Sequence, residues 1–175
     1  MNESKGILVA GIGNIFFGDD AFGSEVAREL MRRPLPDGVK VVDYGISSYD
    51  LAYAIMEGYD ATILIDAVPR GEAAGTLYLI ELDLENLGAA GNAIPDAHSM
   101  NPVSVLEMVK SMGGTTRQLY LVGCEPSVLE TEDGQMGLSE IVQAAVPRAI
   151  ARIESLLDDL LHNKIPVKIN LLAKR

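Results

Sequence analysis

A chain of 175 residues with 48% hydrophobic and 22% charged content can bury one sizeable core, since a domain this size hides roughly 70% of its unfolded surface. Its formal net charge of −11 argues against nucleic acid as a partner, because phosphate binding rests on clusters of Lys and Arg that this chain does not have. The longest apolar runs, residues 7–12 and 61–65, are far too short to cross a membrane, so no membrane partner is expected.

The opening MNESKGILVAG has no signal-peptide pattern, and a single cysteine, Cys124, fits a reducing compartment. A cytoplasmic location is the expectation. Short apolar runs then alternate with helical patterns from end to end, without repeats or linkers, which defines an α/β domain. Residues 6–11 read as the first strand, and a helix follows over about 20–31, stopped by Pro34 and Pro36. A strand over 39–43 and a helix over 50–57, ended by Gly58, come next. The third strand, 61–66, is apolar until Asp66, the mark of a strand covered on both faces.

Nine residues, AVPRGEAAG, separate it from a fourth strand over 76–82. That connection is too short for a parallel crossover, so the fourth strand runs antiparallel to the third. A long loop over 83–101 leads to a helix over 103–111 and a fifth strand over 118–123. The last helix spans about 139–162, with Val142, Val146, Ile150, Ile153, Leu157 and Leu160 as its buried stripe. Pro147 removes one of its hydrogen bonds and is expected to bend it. The predicted fold is a three-layer αβα sandwich around a mixed, mostly parallel five-stranded sheet, a single domain over 1–163 followed by a tail over 164–175.

Chemistry gathers in three segments: GIGNIFFGDDAFGSE (11–25), LIDAVPRG (64–71) and DAHSMNP (96–102). Open α/β sheets bind ligands outside the carboxyl ends of their strands, where strand order reverses. If the second strand lies outside the first, and the first and third are neighbours, that crevice falls between the first and third. Asp19 and Asp20 then leave the first strand beside it, and Asp66 ends the third. The helix after the long loop must start at the same edge to feed a parallel strand, and His98 stands just before that helix. One imidazole with two carboxylates suits a divalent transition metal with open positions.

Each residue also has an ordinary structural explanation. Asp20 suits the positive end of the first helix and Asp19 its N-cap. Asp66 would serve as a turn cap, although a carboxylate directly after Ile63, Leu64 and Ile65 faces burial, which costs several kcal/mol, roughly, for an unpaired ion. His98 taken alone reads as a loop histidine. His162 suits a helix C-terminus, and Cys124 packs as a small hydrophobe. No hydroxyl or thiol has a histidine base beside it in sequence, so a Ser or Cys nucleophile has little support.

The rival class is a nucleotide-binding α/β module. Gly11 and Gly13 after the first strand, with Asp43 ending the second, imitate a dinucleotide fingerprint, but Phe16 stands where the third glycine belongs. Asp19 and Asp20 also occupy the helix start where a pyrophosphate would sit. Two like charges about 5 Å apart repel by roughly 3 kcal/mol at an effective dielectric near 20. The helix end returns at most ~2 kcal/mol, so repulsion wins.

These same segments resemble the hydrogenase maturation endopeptidases. GIGNIFFGDDAFG is similar to that family's opening motif, a GxGN turn followed by an acidic residue and glycine. ILIDAVPRGEAAGTLYLIEL is similar to its second motif and DAHSMNPVSVLEMV to its histidine motif. LYLVGCEPSVLE and MGLSEIVQAAVPRAI resemble its closing strand and helix. The resemblance, over about 6–155, implies an endopeptidase that cuts a short C-terminal extension from a hydrogenase large-subunit precursor after nickel insertion. Nickel would then arrive with the substrate, with zinc or cadmium as surrogates in vitro, and the enzyme would act as a monomer.

Carried over, the metal-contacting positions are Asp20, Asp66 and His98, with Asp20 or Asp66 orienting or deprotonating the attacking water. Gly11, Gly13 and Asn14 would shape the loop, and Gly23 would allow close packing. Asp43 remains only a possible substrate contact. Ala21 departs from the glycine of many members, which bears on the turn.

Overall fold

Alternation along the central strands sorts the core into two halves. In the computed structural model, which describes residues 5–87, 101–127, 129 and 134–162, strand β1 is Ile7–Ile12 and strand β3 is Ala61–Ala67. Ile7, Val9, Ile63 and Ile65 enter one apolar cluster, while Leu8, Ala10, Ile12 and Leu64 enter the other. A period of two with apolar residues on both faces requires helices on both sides.

The first cluster is covered by helix α1 (Phe22–Met31) and by α4 (Glu140–Gln143) and α5 (Val146–Leu161). The second is covered by α2 (Ser48–Met56) and α3 (Pro102–Ser111). These are the expected three layers. Each buried Leu, Ile or Val contributes about 1.5–3 kcal/mol, so the two covered faces supply the stability that lets polar loops occupy the sheet's edge.

Strands β2 (Val39–Gly45), β4 (Leu77–Glu81) and β5 (Gln118–Cys124) complete a sheet of order β2-β1-β3-β5-β4. All pairs are parallel except β4 with β5. The short connection fixed the direction of β4 but not its partner. The chain returning through α3 inserts β5 beside β3, and β4 becomes the edge strand.

The first and last helices differ most from the sequence reading. The first helix begins at Phe22, after a 3-10 turn over Gly18–Ala21. The last is two helices, with Pro147 in the first turn of α5. There its missing N–H has no helical partner to lose, so the proline starts a helix where bending of one was expected. Leu160 is only partly buried, while the rest of the predicted stripe is buried. Among the described residues no helix is long and apolar enough to cross a membrane. The tail over 164–175 lies outside the described residues.

Candidate active site

With β2 outside β1 and β3 on its other flank, strand order reverses between β1 and β3, and the crevice opens at their carboxyl ends. What closes over it is set by two glycines. A Cβ on Gly23, in α1, would sit 2.0 Å from the Ile65 carbonyl oxygen and 2.2 Å from that of Ile12. A Cβ on Gly11 would sit 2.4 Å from the Gly23 carbonyl oxygen. Helix α1 therefore lies backbone to backbone on the strand ends, and the 3-10 turn before it is carried to the crevice.

The loop from β1 wraps around Asp20. The Asn14 backbone N–H donates to Asp20 Oδ2 at 2.9 Å, and Asn14 Oδ1 accepts from the Phe16 N–H at 3.0 Å. The Asp20 N–H donates to the Phe17 carbonyl at 3.1 Å. Gly13 approaches too closely for a side chain, since a Cβ there would lie 2.1 Å from the Asp20 carbonyl oxygen. Ala21 has φ −71° and ψ −4°, a conformation open to any L-residue, so its departure from glycine leaves the turn unstrained.

Asp66, on β3, is only 4% exposed. Its Oδ1 accepts from the Ala67 N–H at 2.8 Å. Burial pushes its carboxyl well above the usual 3.8, the charge of Asp20 pushes it further, and the Ala67 hydrogen bond opposes both. The structure thus brings Asp20 and Asp66 within electrostatic reach of one another. A buried carboxyl beside a second carboxylate attracts a proton or a cation, and such perturbed groups in a crevice mark functional sites.

His98, the expected third member, lies outside the described residues. Asn101, three positions later, caps α3 through its Oδ1, which accepts from the Val103 N–H at 2.8 Å. Because α3 feeds β5, which is parallel to β3, it starts at the same edge as the acid pair. Among the described residues no group of three His, Cys, Asp or Glu side chains stands close enough to hold a metal ion.

Asp19 is not the helix cap that the sequence suggests. Ala21 occupies the cap position of α1, without a side-chain hydrogen bond. The Asp19 carboxylate is fully buried and accepts from the Ser127 N–H at 2.8 Å, the Ser139 N–H at 2.7 Å and the Ser139 hydroxyl at 2.9 Å.

Asp43 is likewise held within the fold, its Oδ2 accepting from Arg28 Nε at 2.8 Å and its Oδ1 from the Gly45 N–H at 3.0 Å. Cys124 is buried and its thiol is pushed up to about 12, chiefly by burial, so it stays protonated and unreactive near neutrality. His162 ends α5, its Nδ1 2.8 Å from the Asp158 carbonyl and 3.0 Å from the Asp158 carboxylate.

The sequence reading passed over Glu125. This buried carboxylate accepts from the Arg70 N–H at 2.8 Å, the Gly71 N–H at 3.2 Å and the Tyr78 hydroxyl at 2.6 Å. It pins the loop that leaves Asp66. The signal was present: an acid directly after an apolar strand, the same sign that singled out Asp66.

Fold and site together define a three-layer α/β protein with a carboxylate pair, one member buried, at its switch-point crevice. The model of the hydrogenase maturation proteases matches residues 24–156. A Methanocaldococcus jannaschii chain classed with these proteases is 35% identical over 150 residues, covering 85% of this chain and 94% of its own. The hydrogenase 2 maturation protease of Escherichia coli is 32% identical over 149 residues, covering 84% of this chain and 87% of its own. The solved hydrogenase maturating endopeptidase HybD from Escherichia coli superposes with a TM-score of 0.73 at 31% identity, covering 88% of this chain and 93% of that one. The chain belongs to the hydrogenase maturation protease family and is a peptidase.

Proposed function

We propose that this peptidase removes a C-terminal extension from a nickel-loaded hydrogenase large-subunit precursor in the cytoplasm, with nickel brought by the substrate as the recognition or activating element. The observation that carries this reading is the buried Asp66 sharing its crevice with the charge of Asp20. Such a pair repels itself when empty and is relieved by a cation, so a metal-bearing substrate is favoured over a metal-free one. Asp20, Asp66 and His98 are the residues proposed to contact that metal.

Hydrolysis adds water across the peptide C–N bond. A carboxylate, Asp20 or Asp66, accepts a proton as the water oxygen bonds to the carbonyl carbon, and the proton goes to the leaving nitrogen as that bond breaks. The test is incubation with nickel-loaded precursor and mass analysis of the products. A single short C-terminal peptide is expected; an intact precursor beside folded enzyme overturns the reading.

His98→Ala is expected to weaken binding of cadmium or zinc by about tenfold or more, which is ~1.4 kcal/mol. Calorimetry giving one affinity for both proteins would remove His98 from the site. The dinucleotide alternative is weakened by the hold that Arg28 and Gly45 have on Asp43, one on each carboxylate oxygen. NAD, FAD and ATP are expected to leave the melting temperature unchanged, and a saturable rise with any of them would restore that alternative.

A further inference from the structure

The 3-10 turn that presents Asp20 has only four residues, and short 3-10 segments have poor internal hydrogen bonding. Something else must hold it. We propose that Asp19 is the positioning residue of this site, its buried carboxylate bracing the Asp20 turn against the chain that leaves β5 and enters α4. The inference rests on the reading that Asp20 acts at the crevice.

Among the described residues, hydrogen bonds reach across the molecule to make the brace: from Ser127, 108 positions away, and from the backbone and hydroxyl of Ser139, 120 positions away. The carboxylate has no exposed surface. Losing a hydrogen-bond partner at a buried polar group is costly. A second strap runs beside it, with the Gly18 N–H donating to the Gln135 carbonyl at 2.7 Å and the Gln135 N–H to the Phe16 carbonyl at 3.0 Å. The brace thus fixes the backbone of residue 19 relative to two other elements, and Asp20 is the next residue. One peptide bond joins the braced residue to the residue that works.

The test is Asp19→Asn in the full chain. An amide offers one accepting oxygen and an NH2 that donates, so at least one of the present donors would face another donor. Because sub-ångström placement governs catalysis, kcat per folded molecule is expected to fall by about tenfold or more. Cadmium affinity, read by calorimetry, is expected to fall by about tenfold as well, the usual effect of removing an outer support from a ligand.

Ser139→Ala removes the hydroxyl bond to Asp19 and is expected to lower kcat by about threefold. Val142→Ala, a buried α4 position outside the brace, supplies the control: it lowers the melting temperature but leaves kcat per folded molecule unchanged. If Asp19→Asn folds and keeps wild-type kcat and cadmium affinity, the inference is overturned. If Asp19→Asn does not fold, Ser139→Ala decides, and a folded variant with wild-type values for both overturns it equally. A wild-type enzyme that leaves the precursor intact would count against the proposed substrate, and cadmium affinity would then decide the role of Asp19.

Discussion

Asp66→Asn is expected to lose processing by ~100-fold or more, the scale of a general-base contribution, while gaining stability at neutral pH. Asparagine is nearly isosteric and its Oδ1 can still accept from the Ala67 N–H, the bond seen at 2.8 Å. What it removes is a charge in a site that disfavours charge. The sign follows from the direction of the shift. The folded-state pKa of Asp66 is raised, first by burial and then by Asp20, so the folded state holds its proton more tightly than the unfolded state does. Its favourable contribution is fully present below the ordinary carboxylate range, about 4, and is lost as pH rises through the folded pKa.

Wild type and Asp66→Asn should therefore melt together in acid, and the variant should melt higher near neutrality. Melting curves that stay parallel across that range would show that Asp66 is not the buried acid described. Asp20→Asn is expected to lose processing on the same scale, and it also takes away the second cause of the Asp66 shift. The assay is conversion of nickel-loaded precursor beside a metal-free one, which should resist cleavage. Full activity in both variants would refute the mechanism. Equal cutting of the metal-free precursor would instead leave the peptidase intact and remove nickel as its recognition element.

The layers and the acid pair were legible because each rests on a local rule. Apolar runs at 7–12 and 61–65 could only be buried strands, and the nine residues before Thr76 could only reverse the chain. Asp66 announced itself by following a run that had to be buried. What stayed illegible depends on distant partners. Nothing within ten residues of Asp19 reveals that its hydrogen bonds come from Ser127 and Ser139, so the local rule for an acid before a helix gave the wrong role. The partner of Asp43 was hidden for the same reason, since Arg28 lies on α1. The partner of β4 was hidden because loop length restricts direction, whereas position in the sheet depends on where the later β5 inserts. Pro147 was misplaced because its effect turns on whether a helix already runs through it.

Gly23→Ala is expected to be severely damaging for a single-methyl change. In an exposed helix the exchange would stabilise by about 1 kcal/mol through helix propensity. Here the new Cβ would lie 2.0 Å from the Ile65 carbonyl oxygen, 2.2 Å from the Ile12 carbonyl oxygen and 2.8 Å from the Ile12 nitrogen. These are backbone atoms of the two central strands, held by ladder bonds on either side, so no rotamer change can relieve the overlap. Helix α1 must move outward as a body. That exposes the packing of Phe22, Val26 and Leu30 and carries the Asp20 turn away from Asp66.

Overpacking of this kind costs about 3 kcal/mol or more when backbone is the obstacle, so the steric loss exceeds the propensity gain. Gly71→Ala separates the two ways a glycine can matter. It has φ +82° but nothing within 4 Å of a new Cβ, and only the left-handed conformation opposes it, at about 1–2 kcal/mol. Urea unfolding should rank the two variants in that order, with processing lost in Gly23→Ala even where the chain still folds. A Gly23→Ala protein within about 1 kcal/mol of wild type would mean that α1 is not seated on the strand ends at all, and the route by which Asp20 reaches the crevice would have to be redrawn.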